Sequence, residues 1–273
     1  MFFLILSVVS SVIIGNLLKL FQKDKEFSIL LILLSNYFIA TFISVLQLNV
    51  SNLTFNFYDI TLAIFVGVLY FINFLIYNKN VKENGISLSI SVMRVSLIIP
   101  LFLSVFLFKE GLTINLLLGS FFIILALLLI GKLKDRINIL LLFLLFFNTG
   151  VSESGFKFFD AYGKINNSLF LSILFSSAFI ANFLFFLIAK ERISFKNILY
   201  GIMIGIPNQF MSFFFLKSLK YIPASIAYPF LGGGVVLGGI FTDMIFWKLK
   251  PSFKQNIILI LLLFGVIFLN LKP

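Results

Sequence analysis

Long apolar runs alternate with short charged or turn-forming interruptions along the whole chain, and few of the runs contain a charge. A helix that crosses the hydrocarbon core of a bilayer needs about 20 mostly apolar residues. Cutting at the charges and breakers leaves ten predicted helices, at 2–20, 27–47, 58–78, 86–108, 113–131, 137–156, 169–189, 196–216, 223–246 and 254–271. Ten crossings take roughly 200 residues, so the loops are short and no stretch remains for a soluble domain. The first run lacks a basic leading segment and a small-residue cleavage site, which makes it a span rather than a signal peptide. The expected fold is an all-α integral membrane protein with ten transmembrane helices.

Composition agrees with the pattern. Of 273 residues, 61% are hydrophobic and 11% charged, against about 45–50% and 25% in soluble domains. That is too little charge to cover a water-soluble surface. Cysteine and histidine are both absent, which removes disulfides, thiolate and imidazole catalysis, and most transition-metal sites. No enzyme activity, cofactor or metal is expected. The net charge of +11 suits basic loops that set topology and touch anionic lipid, so nucleic acid is not an expected partner. The odd-numbered loops hold 14 Lys and Arg, the even-numbered loops and termini 6, and Arg94 lies inside a predicted helix. By the positive-inside rule the odd loops face the cytoplasm of a cytoplasmic (inner) membrane and both termini lie outside.

The two halves can be laid over each other. At one shift of 138 residues, Gly67 falls on Gly205, Lys79 on Lys217, Lys82 on Lys220 and Ser87 on Ser225. The same shift brings Lys19 onto Lys157 and Phe21 onto Phe159. The eight residues from Ser35 match the eight from Ser176 at five positions. The expected organisation is therefore 1–135 and 136–273, two five-helix repeats. Five is odd, so the second repeat must be inverted in the membrane, as in many secondary transporters.

The segment from Lys82 to Gly131 runs from KENGISLSI through the FKEGLT turn to a Gly-bearing apolar helix. It resembles the fourth and fifth helices of EamA-type members of the drug/metabolite transporter superfamily. Leu18-Lys19-Leu20-Phe21 and Ser35-Asn36-Tyr37-Phe38 are similar to the opening helices of bacterial members. The resemblance implies a cavity surrounded by helices one, three, four, six, eight and nine. It also implies both termini in the cytoplasm, opposite to the charge count. One departure is Leu249, which stands where Glu110 of the first half predicts an acid.

Ionisable and polar residues within spans are candidate functional residues by their cost alone. Ser87, Ser91 and Arg94 share one face of helix four. Arg94 suits a carboxylate or phosphate, through the planar fork of its guanidinium, or a structural ion pair. Glu153 in helix six is a candidate proton carrier, amine ligand or partner of Arg94. Tyr70, Asn73 and Tyr77 form a stripe on helix three. Asn208 and Gln209 follow Pro207 in helix eight. Tyr228, Pro229 and Gly232-Gly233-Gly234 interrupt helix nine near mid-depth, either as a binding site at Gly233 or as close packing through Gly234 and Gly238. Gly201 and Gly205 suit packing. Lys109 and Glu110 read as solvated loop charges.

The function expected is secondary active transport of a small polar or zwitterionic, amino-acid-like metabolite by alternating access, with a proton as candidate coupling ion. The alternative is a translocase of a lipid-linked or amphiphilic molecule in the same superfamily. The partners expected are a small-molecule substrate and the lipid bilayer, with the protein a monomer or weak dimer.

Overall fold

The computed structural model describes residues 1–24, 27–48, 54–111, 113–130, 137–189, 191, 193–248, 250 and 252–270, with Ile86, Ser87, Ile130 and Asn270 described by backbone alone. These residues form eleven helices: α1 (Phe2–Phe21), α2 (Ile29–Leu46), α3 (Phe57–Asn84), α4 (Ile86–Val95), α5 (Ile98–Phe106), α6 (Ile114–Ile130), α7 (Ile139–Tyr162), α8 (Asn167–Ala189), α9 (Phe195–Leu219), α10 (Ala224–Ile245) and α11 (Phe253–Asn270). Eight stretches are long and apolar enough to cross a membrane, with Leu88–Phe106, which takes in α5 and most of α4, counted as one. The apolar helices Ile114–Leu129 and Phe253–Leu269 are shorter. The chain is a multi-pass helical membrane protein. In lipid a backbone group has no water to bond, so the continuous helix is the stable form of such runs.

Local chemistry ends several helices. Ser28 caps α2, its hydroxyl accepting from the Leu31 N–H at 3.4 Å. Asn56 accepts in the same way from the Asp59 N–H at the start of α3. α3 runs past the predicted end at residue 78 to Asn84, because two asparagines anchor its last turns. Asn80 Nδ2 donates to the Leu141 carbonyl at 2.6 Å, and Asn84 Nδ2 donates to Asn80 Oδ1 and to the Asn138 carbonyl. Gly85 then stops the helix at φ 88°, a conformation that costs a glycine little.

The predicted helix at 86–108 is two helices. Pro100 has no N–H to offer the Ser96 carbonyl four residues back. That carbonyl accepts instead from Ile99 at 2.9 Å, and the Arg94 carbonyl accepts from Leu97 at 3.3 Å. These three-residue bonds tighten the chain into the break between α4 and α5. The expected interruption of helix nine is not found: α10 is continuous through Pro229 and the three glycines. Proline costs one bond there, but packed neighbours and a water-free surround keep the remaining ladder intact.

The helices fall into two compact units, to which both 1–135 and 136–273 contribute. One unit comprises Ile72–Lys157 and Ser218–Pro273 with Met1; the other comprises Phe2–Phe71 and Phe158–Lys217. In the first unit α6 packs on α11, α5 on α10, α4 on α6, and α10 on both α6 and α11. Its core joins Leu116, Ile123 and Leu127 of α6 to Ile258 and Leu262 of α11. Gly119 and Gly265 face each other there, for a Cβ on either would lie 2.9 Å from the carbonyl of the other.

In the second unit α2 packs on α8. Gly67 of α3 lies against Leu174 and Ser177 of α8, and Gly205 of α9 lies against Asn36 and Ile39 of α2. Gly201, a turn before Gly205, meets Ile32 and Ser35. Both pairs of helices approach so closely because a side chain is missing at the crossing. Asp59 is fully buried in this unit, and its Oδ2 accepts from the N–H groups of Lys164 at 2.7 Å and Ile165 at 3.0 Å.

Candidate functional site

Seven of the ten candidate residues with described side chains or glycine backbone belong to the first unit: Asn73, Tyr77, Ser91, Arg94, Glu153, Tyr228 and Gly233. Ser87 is on α4 in the same unit, but its side chain lies outside those described. The break after Val95 positions Arg94 at the end of α4, where the ladder carbonyls turn over to three-residue bonding. Glu153 on α7 and Tyr77 on α3 lie close enough to act electrostatically on the guanidinium. Arg94, Glu153 and Tyr77 are each half-buried, whereas Ser91 is buried on α4.

The supporting contacts come from α7 and α10. Thr149 Oγ1 donates to Asn73 Oδ1 at 2.7 Å, which joins α7 to α3. Tyr228, fully buried, donates its hydroxyl proton to the Glu153 carbonyl at 2.7 Å, which joins α10 to α7. A cleft of about 10 Å³ lies beside Arg94, lined by Leu97, Leu101, Ile123, Leu127, Tyr228 and Gly232. That is room for about one water, so its walls must separate before a metabolite could enter. Gly232 brings α10 against the break, since a Cβ there would lie 3.1 Å from Leu97 and 4.0 Å from the Arg94 carbonyl. Gly233 faces Ile123 of α6, 3.3 Å from where a Cβ would be, and so packs two helices together.

Tyr70, Asn208 and Gln209 belong to the second unit. Asn208 Nδ2 donates to Asn36 Oδ1 at 3.1 Å, and Gln209 Nε2 donates to Gln47 Oε1 at 2.8 Å. Tyr70 is half-buried on α3.

One reading of the sequence is corrected here. Glu110 is not a solvated loop charge: its side chain is 13% exposed and pairs at 2.9 Å with Lys157, itself 11% exposed. It also accepts from the Ala224 N–H at 3.0 Å and the Ser225 N–H at 2.8 Å, the free donors at the start of α10. Burial alone would raise its pKa. The Ser225 N–H, the Lys157 ammonium and the Ala224 N–H together hold it below the usual glutamate value. Lys157 also lies 5.2 Å from the centre of the Phe108 ring. The signal available in the sequence was the missing counterpart of Glu110 at Leu249, which lies outside the described residues.

No family model matches the chain, and no curated protein matches it. A solved crystal structure of a protein superposes with a TM-score of 0.79 over 98% of this chain and 96% of that one, at 14% identity. The likeness is one of fold.

Proposed function

We propose that the chain is a secondary transporter of the EamA type in the drug/metabolite transporter superfamily, with ten transmembrane helices in two inverted five-helix repeats. The observation that carries this reading is packing between repeat-equivalent elements. Laid half on half, the second span corresponds to the seventh, the fourth to the ninth and the fifth to the tenth. Those are the packed pairs α2 with α8, α5 with α10 and α6 with α11. The glycines repeat the relation in finer detail. Gly67 sits on Ser177, and Gly205 sits on Asn36, where Gly67 matches Gly205 and Asn36 matches Ser177 in the repeat. A two-fold relation between inverted halves makes each such contact occur twice.

The chemistry follows from Arg94. Its guanidinium presents parallel donors to a carboxylate, and Glu153 on the neighbouring helix supplies the acid that a substrate amine needs. Asn73 and Tyr77 on α3 and Ser91 on α4 add hydrogen-bonding groups. A small zwitterionic, amino-acid-like metabolite matches this pairing of charges. Since the cleft beside Arg94 is water-sized, uptake requires α4 and α10 to separate and close again, as alternating access demands. By charge the odd loops, which hold most of the lysines, face the cytoplasm of the inner membrane, opposite to the orientation that the family resemblance implies.

The test is uptake into proteoliposomes, with the metabolite chosen from a thermal-shift panel on purified protein. Arg94→Ala is expected to abolish uptake while the protein still purifies folded. Unchanged kinetics in that variant would refute the anchor role. Vesicles that scramble a head-group-labelled lipid but take up no amino acid would favour the translocase.

A further inference from the structure

Tyr228, Pro229 and Gly232 of α10 form one wall of the cleft beside Arg94. Two contacts one helical turn apart fasten that wall to α7. Tyr228 donates its hydroxyl proton to the Glu153 carbonyl at 2.7 Å. One turn nearer the start of α10, Glu110 accepts from the N–H groups of Ala224 at 3.0 Å and Ser225 at 2.8 Å, and pairs with Lys157 at 2.9 Å. Residues 153 and 157 lie one turn apart on α7, as 224 and 228 do on α10, so the two fastenings share one antiparallel seam.

Pro229 separates this first turn from the body of α10. It has no N–H, so the Ser225 carbonyl four residues back lacks its ladder donor. The lost bond falls beside the residues that Glu110 holds. At the other end of the turn the Pro223 carbonyl accepts from both Ile226 and Ala227 at 3.0 Å, which keeps the turn intact as a piece.

We propose that the first turn of α10 is a lid on the cleft beside Arg94, latched by Glu110 and hinged at Pro229. Opening breaks the bonds from Ala224 and Ser225 to Glu110. Lys157 stays with Glu110 and with the face of Phe108, so neither charge is left alone and the main cost of breaking a buried pair is avoided. Tyr228 belongs to the same turn, so its hydroxyl leaves the Glu153 carbonyl as the lid swings. The water-sized cleft then widens beside the acid that acts on Arg94. The use of the lid as a gate rests on the transport reading, whereas its opening is measured without a substrate.

The chain has no cysteine, so a single introduced thiol reports on the lid. Ser225 and Ala126 are both 0% exposed, and Ala126 lies in the core that joins α6 to α11. Purified Ser225→Cys is expected to react with a water-soluble maleimide at least about tenfold faster than Ala126→Cys, at a rate that stays flat in urea below the unfolding transition. Adding Glu110→Gln should raise that rate at least about tenfold, by weakening the charge-assisted bonds of the latch. Adding Pro229→Ala, which restores the N–H, should lower it. Should Ser225→Cys not fold, hydrogen exchange of the cysteine-free chain at the Ala224 and Ser225 amides, set against the Ala126 amide, reads the same opening. Reaction of the two positions in step, an unchanged rate with Glu110→Gln, or no slowing with Pro229→Ala overturns the latched lid. Opening in a chain that takes up no metabolite upholds the lid and counts against the transport reading alone.

Discussion

Replacing Glu110 by Gln isolates the charge in the contact that joins the α5–α6 loop to α7 and α10. In the parent the carboxylate receives Lys157 at 2.9 Å and two backbone N–H groups at 3.0 and 2.8 Å. Breaking a well-buried ion pair costs about 3–5 kcal/mol, because the remaining charge is left without a partner. Glutamine still offers one acceptor to the helix start, and Lys157 keeps the Phe108 face, so the expected loss is about 2–4 kcal/mol. Each kcal/mol lowers the melting temperature of a chain this large by about 2–4 °C, so Glu110→Gln should melt about 4–16 °C lower in detergent. Lys157→Met and the double variant complete a cycle. The double variant should be less destabilised than the two single losses added together. The acid limb carries a second signature. A carboxyl with a depressed folded pKa contributes stability above its unfolded value, about 4.3, and loses it as pH falls through the lower folded value. The parent should therefore lose stability below about pH 4, and Glu110→Gln should lack that part of the fall. Melting within about 1 °C of the parent, or strict additivity in the cycle, would refute the account.

The crossing glycines make paired predictions. Gly67→Leu and Gly205→Leu each drive a side chain into a facing helix and should cost about 1–3 kcal/mol or more, to a similar extent at the two crossings, by thermal unfolding. Gly15 has nothing within 4 Å of a Cβ, so Gly15→Ala should melt at or above the parent, by up to about 1 kcal/mol of helix propensity. Asp59→Leu leaves the buried Ile165 N–H without its acceptor, with an expected loss of about 1–3 kcal/mol and faster amide exchange at the start of α8. A protected Ile165 amide in that variant would mean another acceptor is in reach.

How far the fold could be read in advance depended on which forces set each element. The spans were legible because lipid enforces a simple rule on every apolar run, and α1, α2, α8 and α9 match their expected limits within a few residues. The unaided pattern did not show α3 running on to Asn84. Those turns rest on bonds from Asn80 and Asn84 to residues 138 and 141, which are distant in sequence. Pro100 and Pro229 look alike as letters, yet one marks a break and the other lies within a continuous helix. The difference lies in the neighbours that hold α10 in place.

The candidate site divides in the same way. Arg94 and Glu153 were identifiable from the sequence alone, because a charge inside an apolar run is costly wherever the chain folds. Their nearness, the support from Tyr228 and the packing role of Gly233 depend on which helices meet. Glu110 is the sharpest case. By sequence it is a loop acid among many solvated ones, and its burial follows from the chance to receive Lys157 and the start of α10 together. Sequence by itself determined the solvent of this protein, its helical state and the positions where a charge is costly in lipid. Only the tertiary structure decided which of those groups meet, because a contact between distant residues leaves no local pattern in the chain.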